Sequence, residues 1–151
     1  MAQDLIKFIK EEDIKNEYGD KIFLLLDTDV NQNKNEQIEM AKEICNKNGI
    51  ELITSNPTFE IWYILHFEYT TRIYQNSKQV KEAIAMKITE YTESKNIFPL
   101  IKNKTSFAIQ NAKKLEKYHQ ENGQPLCTDK CNPYTSVYKV VEELIRRNIS
   151  Q

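Results

Sequence analysis

The sequence predicts an α/β fold in which a parallel βαβ core precedes a largely helical C-terminal half. Two short apolar runs, residues 22–26 and residues 50–54, flank a segment whose apolar residues follow helical spacing. The first run is continuous, which favours a strand buried on both faces of a parallel sheet. Only 3 Gly and 4 Pro are present, so few tight turns are available and an all-β fold is disfavoured.

The elements of the N-terminal half follow from apolar spacing and from two glycines. An amphipathic helix over residues 3–18 is predicted to end at Gly19, and Gly49 stands where the next helix needs its C-terminal cap. The predicted order after Gly19 is a strand over 22–26, a polar loop over 28–35, a helix over 36–48 and a strand over 50–54. Strand, helix and strand in this order predict a right-handed crossover.

The elements of the C-terminal half are helices joined by polar connections. Asn56 and Pro57 predict the start of a buried helix, with Asn56 as its cap and Pro57 at its first position. Further helices are predicted over residues 77–93, 105–121 and 135–148, the last of them capped by Thr135 or Ser136. Two strands alone make a marginal sheet, so we expect the N-terminal segment, another strand or a second subunit to extend or cover it.

The length of 151 residues and a normal globular composition predict a single domain, residues 1–151. We divide it into a βαβ core with an acidic site, residues 1–67, and a helical, basic portion, residues 68–151. Residues 1–60 carry 7 Lys or Arg against 13 Asp or Glu, and residues 61–151 carry 14 against 9. This asymmetry fits a metal site beside a phosphate-attracting surface, and solvated helix faces explain it equally well.

The cellular location is predicted from the cysteines and from hydropathy. The chain has 3 Cys, an odd number, and it lacks the apolar core of a secretory signal, which together indicate a reducing cytoplasm. No apolar run is long enough to cross a bilayer, so we expect a cytoplasmic protein with no membrane partner.

Acidic and polar residues follow both predicted strands at the point where each strand ends. Asp27 closes the first strand with Asp29 two residues on, and Ser55 and Asn56 follow the second strand. The carboxyl ends of parallel strands share one edge of the sheet, and Glu60 lies in the first turns of the helix that leaves this edge. Neighbouring carboxylates repel each other unless a cation lies between them, and Mg²⁺ prefers such oxygen ligands. The pattern predicts a site for Mg²⁺ or Mn²⁺, and the competing interpretation of an Asp-x-Asp is a solvated turn.

Three segments resemble the signature segments of the RloB family. The first is Phe-Leu-Leu-Leu-Asp-Thr-Asp at residues 23–29, and the second is Ser-Asn-Pro-Thr-Phe-Glu-Ile-Trp at residues 55–62, followed by His66 and Phe67. The third, Asn-Pro-Tyr-Thr at residues 132–135, resembles the closing segment of that family. The resemblance implies a Toprim-like fold and metal-dependent nuclease or phosphotransfer chemistry on nucleic acid, in restriction-modification and phage-defence loci.

The resemblance also implies roles for individual residues of the acidic edge. Asp27 and Asp29 match the Toprim Asp-x-Asp, which would hold Mg²⁺ or Mn²⁺ and take part in catalysis. Glu60 matches the Glu of the second segment and is the third candidate catalytic residue. Ser55 and Asn56 match the residues that cap that segment, and we expect them to bind the substrate phosphate.

The sequence departs from the Toprim pattern in one respect. Toprim domains place a Glu at the end of an earlier strand as a general acid or base. Glu11, Glu12 and Glu17 lie on a predicted helix, so none of them matches this position. We therefore expect a shortened family member, a fragment, or a protein that obtains this group from a partner.

Residues outside the acidic edge complete the candidate site. Residues 94–119 hold six Lys and one acid, and Lys104 and Lys113 are candidates to bind a phosphate backbone. His66 is either a buried, hydrogen-bonded histidine or a proton carrier near the metal. The closing segment contributes Asn132 and Thr135. The expected partners are nucleic acid and either a protein, such as an ATPase or a defence subunit, or a second copy of the chain.

Two other functions remain open. Asp-Thr-Asp-Val at residues 27–30 also fits the first motif of haloacid dehalogenase-type phosphatases, and residues 52–56 resemble their second motif, but their later Asp pair is missing. The other function is a non-catalytic interaction module of a defence complex, in which the helical half docks a partner.

Overall fold

The structure is a computed structural model that describes Lys7, Gly19 and the residue ranges 21–28 and 33–149. The predicted helix over residues 3–18 lies outside the described residues except for Lys7, which is helical. Asp29 lies outside them as well, and so do Glu11, Glu12 and Glu17.

The described chain forms a mixed α/β fold with a small sheet and several helices. The elements in chain order are β1 (Ile22–Asp27), α1 (Asn33–Lys47), β2 (Ile50–Asn56), α2 (Ile61–Leu65), α3 (Ser77–Ala85), α4 (Phe98–Ile101), a 3₁₀ turn (Lys102–Lys104), α5 (Thr105–Glu121), β3 (Tyr134–Thr135) and α6 (Val137–Ile149). The strand order in the sheet is β1-β2-β3. The strands β1 and β2 are parallel and β3 runs antiparallel to β2.

The predicted βαβ unit is confirmed. Both strands form where the apolar runs lie. Gly49, two residues after the end of α1, takes a φ of +66°, as a left-handed C-terminal cap requires. The burial of β1 differs from the prediction, because Leu24 is 8% exposed whereas Leu25 is 46% exposed. Leu24 packs with Cys45 of α1 and Ile50 of β2, so one face of β1 is covered by the crossover helix.

The start of the first buried helix differs from the prediction. Asn56 is the last residue of β2, paired with Tyr134 of β3, and α2 begins only at Ile61. The Asn56 side chain is buried and donates from Nδ2 to the carbonyls of Thr128 (3.2 Å) and Asp129 (3.0 Å). These long-range partners hold Asn56 in the strand, so it caps no helix and the helix N-terminus predicted after it does not exist.

The third strand is the element that extends the sheet. Thr135 and Tyr134 form β3 at the position predicted as the start of the last helix, which begins at Val137 instead. Ser136 secures this edge, since its backbone N–H donates to the carbonyl of Thr54 (2.9 Å) and its Oγ accepts from the N–H of Thr54 (2.9 Å). A strand of two residues is too short to show a period of its own.

One of the remaining helical predictions needs correction. The helix predicted over residues 77–93 ends at Ala85, and Glu90 adopts a φ of +56° that no helix continues through. The short helix α4 follows Ile97, with Pro99 in its first turn. The helix predicted over residues 105–121 is confirmed at both ends as α5.

The largest hydrophobic core lies between β2 and the helices that follow it. Ala108, Ala112 and Leu115 form a fully buried stripe on α5 at helical spacing and belong to one cluster with the apolar residues of α2. The Asn111 side chain on the same helix donates to the carbonyl of Leu65 (2.8 Å), which satisfies the last turn of α2. The core therefore fixes α2, and with it Glu60 at the start of α2.

The C-terminal helix α6 is tied to the beginning of β1. Glu143 is nearly buried and pairs with Lys21 (3.1 Å), Arg146 (2.6 Å) and Arg147 (2.9 Å). Hydrogen bonds from Arg146 and Arg147 hold the pKa of Glu143 well below its usual range. Arg147 also donates to the carbonyl of Gly19 (2.7 Å), so β1 is anchored at the end opposite to the acidic site. None of the described helices is long and apolar enough to span a bilayer.

Candidate functional site

The carboxyl ends of β1 and β2 lie side by side, as the parallel pairing requires. Asp27 lies opposite Ser55 in the register of the two strands. Thr28, which is buried, continues the pairing because its backbone N–H donates to the carbonyl of Ser55 (2.8 Å). Asp27 itself is exposed to solvent. The strand ends therefore place an accessible carboxylate on a rigid edge of the sheet.

A threonine hydroxyl joins the two candidate carboxylates. Thr58 Oγ1 lies 3.1 Å from Asp27 Oδ2 and 2.5 Å from Glu60 Oε2. A hydroxyl carries one hydrogen, so it cannot donate to both carboxylates at once. Asp27 and Glu60 thus meet around a single hydroxyl although they are 33 residues apart in the sequence.

The second oxygen of Glu60 faces a lysine and a tyrosine. Lys81 Nζ, on α3, lies 3.9 Å from Glu60 Oε1 and 2.7 Å from Glu93 Oε1. The Tyr91 hydroxyl lies 3.5 Å from the same Glu60 oxygen. The hydrogen bond with Glu93 raises the pKa of Lys81, and the negative charges of Glu60 and Asp27 also raise it. Burial and the charge of Glu60 raise the pKa of Tyr91.

This arrangement fits a hard divalent cation by its donor chemistry. Two carboxylates and a hydroxyl supply oxygen ligands of the kind that Mg²⁺ and Mn²⁺ take, and water completes such shells. Within the ranges that the structure describes, no group of three or more His, Cys, Asp or Glu side chains is placed to hold a metal. Asp29, predicted to hold the metal together with Asp27, lies outside those ranges, so its role stays a prediction.

A cleft of about 170 Å³ adjoins the acidic edge. Asp27, Ser55 and Phe59 line it together with apolar residues of both strands and Val137 of α6. Ser55 Oγ lies 2.9 Å from Thr135 Oγ1, and both side chains are buried. Thr135 Oγ1 also accepts from the backbone N–H of Val137 (3.3 Å). These two predicted site residues therefore join β2 to β3 beneath the acidic edge.

Of the two interpretations of His66, the structure shows the buried, hydrogen-bonded histidine. It is 2% exposed, and its Nδ1 lies 2.8 Å from the carbonyl of Trp62. A carbonyl only accepts, so Nδ1 carries the proton and Nε2 is the acceptor. Burial and the charge of Lys104 lower the pKa of His66, which favours this neutral ring.

The two predicted phosphate-binding lysines lie on and just before α5. Lys104 Nζ sits 4.3 Å from the centroid of the Phe67 ring, an arrangement typical of a cation–π contact. Lys113 Nζ pairs with Glu142 of α6 at 2.6 Å. Lys113 thus joins two helices in the structure, whereas Lys104 offers a cation close to His66.

Asn132 fastens the polar connection between α2 and α3. Its Nδ2 donates to the carbonyl of Tyr74 (2.7 Å), and its Oδ1 accepts from the N–H of Tyr74 (3.0 Å). The amide side chain thus makes the same two hydrogen bonds with the Tyr74 backbone that a neighbouring β-strand would make. Tyr74 is buried beside it. The described contacts of Asn132 give it a structural position rather than one at the acidic edge.

Three residues around the two carboxylates were not found by sequence reasoning. Thr58 lies two residues before Glu60, and a hydroxyl at that spacing was the one signal available. Lys81 and Tyr91 come from the chain that follows α2, at distances in sequence that no local period connects to Glu60. Only the packing of α3 and its following loop against α2 brings them to the site.

Comparison with known proteins identifies the family of the chain. The family whose sequence model matches is described as RloB-like protein, and the match covers residues 1–144. A search of curated proteins and a search of solved structures found no match. The matched segment includes both strand ends, the Thr58 bridge and the closing segment around Thr135. The chain belongs to the RloB-like family.

Proposed function

We propose that the protein is a Toprim-like, metal-dependent enzyme that cleaves or transfers phosphodiester groups of nucleic acid in anti-phage defence. The observation that carries this proposal is the meeting of Asp27 and Glu60 around the hydroxyl of Thr58 at the end of parallel strands. Membership in the RloB-like family supports it, because the resemblance implies this chemistry.

The electrostatics of the two carboxylates favour a bound cation. Two ionised carboxylates on one hydroxyl repel each other, and a cation or a proton between them removes the repulsion. Asp27 is exposed, so a cation from solution can reach this point. Asp27 and Glu60 would hold the metal, and Asp29 is proposed as a third ligand.

Each group at the site then has a task in phosphate chemistry. A bound Mg²⁺ or Mn²⁺ would polarise a phosphoryl oxygen and lower the pKa of a bound water. The Thr58 hydroxyl lies between the two carboxylates and can donate to one of them at a time. Lys81, whose ammonium lies near Glu60, would neutralise a substrate phosphate beside the metal.

The decisive experiment offers several substrates to the native chain with and without metal. We expect Mg²⁺- or Mn²⁺-dependent cleavage of nucleic acid, which stops in EDTA and in the Glu60→Gln variant. Hydrolysis of a small phosphomonoester with a trapped phospho-aspartate at Asp27 would select the phosphatase instead. Failure on every substrate, combined with tight binding of a protein partner, would select the interaction module and overturn the proposal.

Removing the lysine next to Glu60 should strengthen metal binding. The Lys81→Met variant lacks the cation that competes for Glu60, so we expect its affinity for Mn²⁺ to rise about two- to fivefold, the range of an exposed ion pair. The same variant should cleave nucleic acid more slowly, because the phosphate loses its positive partner. Titration calorimetry and a cleavage assay measure the two effects.

The matched control for this test is Lys78→Met on the same helix. Lys78 is 84% exposed and lies 3.9 Å from Glu82, away from Glu60. Its loss should leave metal affinity and cleavage unchanged. A weaker affinity for Mn²⁺ in Lys81→Met would show that Lys81 supports the shape of the site and does not compete with the metal.

A further inference from the structure

The structure contains a second cavity next to the acidic edge, with a volume of about 340 Å³. It lies between α2 and the chain around α4. Four aromatic side chains belong to its lining: Phe59, Trp62, Tyr63 and Phe98. Its size is at the lower end for small-molecule sites, which suits one planar ring system better than a larger ligand.

The aromatic rings of α2 are already held in place before a ligand arrives. Phe59 and Tyr63 pack edge to face with centroids 5.3 Å apart, and Trp62 and His66 do so at 4.8 Å. Phe98 differs from them, since it is 64% exposed on the short helix α4. A rigid aromatic wall with one exposed ring is a suitable platform for a stacked base.

The polar groups of the cavity supply one acceptor and one donor. His66 has its Nδ1 proton on the carbonyl of Trp62, so Nε2 is left as an acceptor. Asn96 accepts the N–H of Phe98 on its Oδ1 (3.1 Å), which leaves its NH₂ group as a donor. An acceptor and a donor in one cavity are the groups that hydrogen-bond the edge of a nucleobase.

The charge around this cavity favours a ligand carried on a polyanion. Lys95 lines the cavity, and Lys104 lies close enough to His66 for its charge to act on the ring. None of the described residues that line the cavity is acidic. A negatively charged backbone is therefore attracted to the rim, while an aromatic ligand fits inside.

Phe59 connects the two cavities. It lines the small cleft that contains Asp27 and also the aromatic cavity. Glu60, which follows Phe59 directly, acts electrostatically on Tyr63 in the wall of the aromatic cavity. The aromatic cavity and the cleft at the acidic edge are therefore neighbours that share Phe59.

We propose that this cavity, between α2 and Phe98, binds an unpaired base of single-stranded nucleic acid next to the acidic edge. This inference rests on the proposed function and narrows its substrate class. A base inside a duplex is stacked and paired, so it cannot enter the cavity unless it leaves the helix. Single strands and unpaired loops are therefore the preferred ligands, and intact duplex is not.

The test compares two exposed phenylalanines without any divalent cation. Fluorescence anisotropy in EDTA follows short labelled single strands of DNA and RNA and the matching duplex. We expect Phe98→Ala to weaken single-strand binding roughly fivefold to a hundredfold, the range for one stacked base. Phe107, which is 46% exposed on α5 and does not line the cavity, is the control, and Phe107→Ala should bind like the native chain.

The outcomes separate this inference from the proposed function. Equal binding of single strand and duplex, equal effects of the two Phe variants, or no binding of nucleic acid would overturn the base-binding cavity. The first two results leave the proposed function in place, because metal binding is measured separately as a rise in melting temperature with Mg²⁺ or Mn²⁺. Absence of nucleic-acid binding would count against the proposed function as well. If the native protein shows no such rise in melting temperature but still binds single strands, the proposed function is overturned and the base-binding cavity is not.

Discussion

The Asp27→Asn variant is expected to lose the rise in melting temperature that Mg²⁺ or Mn²⁺ gives the native protein. Metal at about a hundred times its dissociation constant stabilises the native state by about 2.7 kcal/mol. For a chain of this size that corresponds to a shift of about 5 to 10 °C. The neutral amide keeps the shape of Asp27 but supplies no charge to a cation, so we expect affinity to fall at least tenfold and metal-dependent cleavage to disappear.

The same experiment carries its own control for folding. Without metal, the melting temperature of Asp27→Asn is the reference for its own metal shift, since the substitution also changes the contact of Asp27 with Thr58. Glu39→Gln, an exposed substitution on α1 that breaks a surface pair with Lys42, should keep the full metal shift. An unchanged shift in Asp27→Asn, measured by differential scanning calorimetry, would remove Asp27 from the metal site.

The Asn56→Ala variant is expected to lose about 2 to 4 kcal/mol of unfolding free energy. Asn56 is fully buried, and its Nδ2 satisfies the carbonyls of both Thr128 and Asp129. The substitution removes two hydrogen bonds and leaves two carbonyls without their donor, and each such group costs about 1 to 2 kcal/mol. A urea titration followed by circular dichroism measures the change in midpoint.

Asn122→Ala is the matched control for Asn56. Its Nδ2 also donates to a backbone carbonyl, that of Tyr118 (2.7 Å), but the side chain is exposed and water can replace it. We expect a loss of at most about 1 kcal/mol there. If the two variants lost equal stability, the buried position of Asn56 between β2 and the 128–129 loop would be unimportant for folding.

The Asn56→Ala variant also distinguishes the predicted roles of Asn56 from its structural role. A helix cap loses about 1 kcal/mol on change to Ala, and a phosphate ligand loses substrate affinity without much stability. A large loss of stability with unchanged substrate affinity of the remaining folded protein is what the position seen in the structure predicts. The predicted phosphate-binding role of Asn56 would then fall, whereas that of Ser55 would remain open.

Local sequence was sufficient for the elements that depend on local spacing. The apolar runs of β1 and β2, the crossover helix that ends at Gly49 and both ends of α5 depend on the period of apolar residues and on a glycine with positive φ. The pairing of Asp27 with the segment of Ser55 and Glu60 followed from them, because parallel strands always end at the same edge.

The remaining features came from contacts between residues that are far apart in the chain. Asn56 stays in a strand because carbonyls more than 70 residues away bind its side chain, and β3 exists because two residues meet an edge that β2 leaves open. Thr58, Lys81 and Tyr91 join Glu60 through the packing of α2 and α3. The spacing of apolar residues along the chain does not predict such long-range contacts. They form because they lower the free energy of the packed core, and neighbouring residues in the sequence do not determine them.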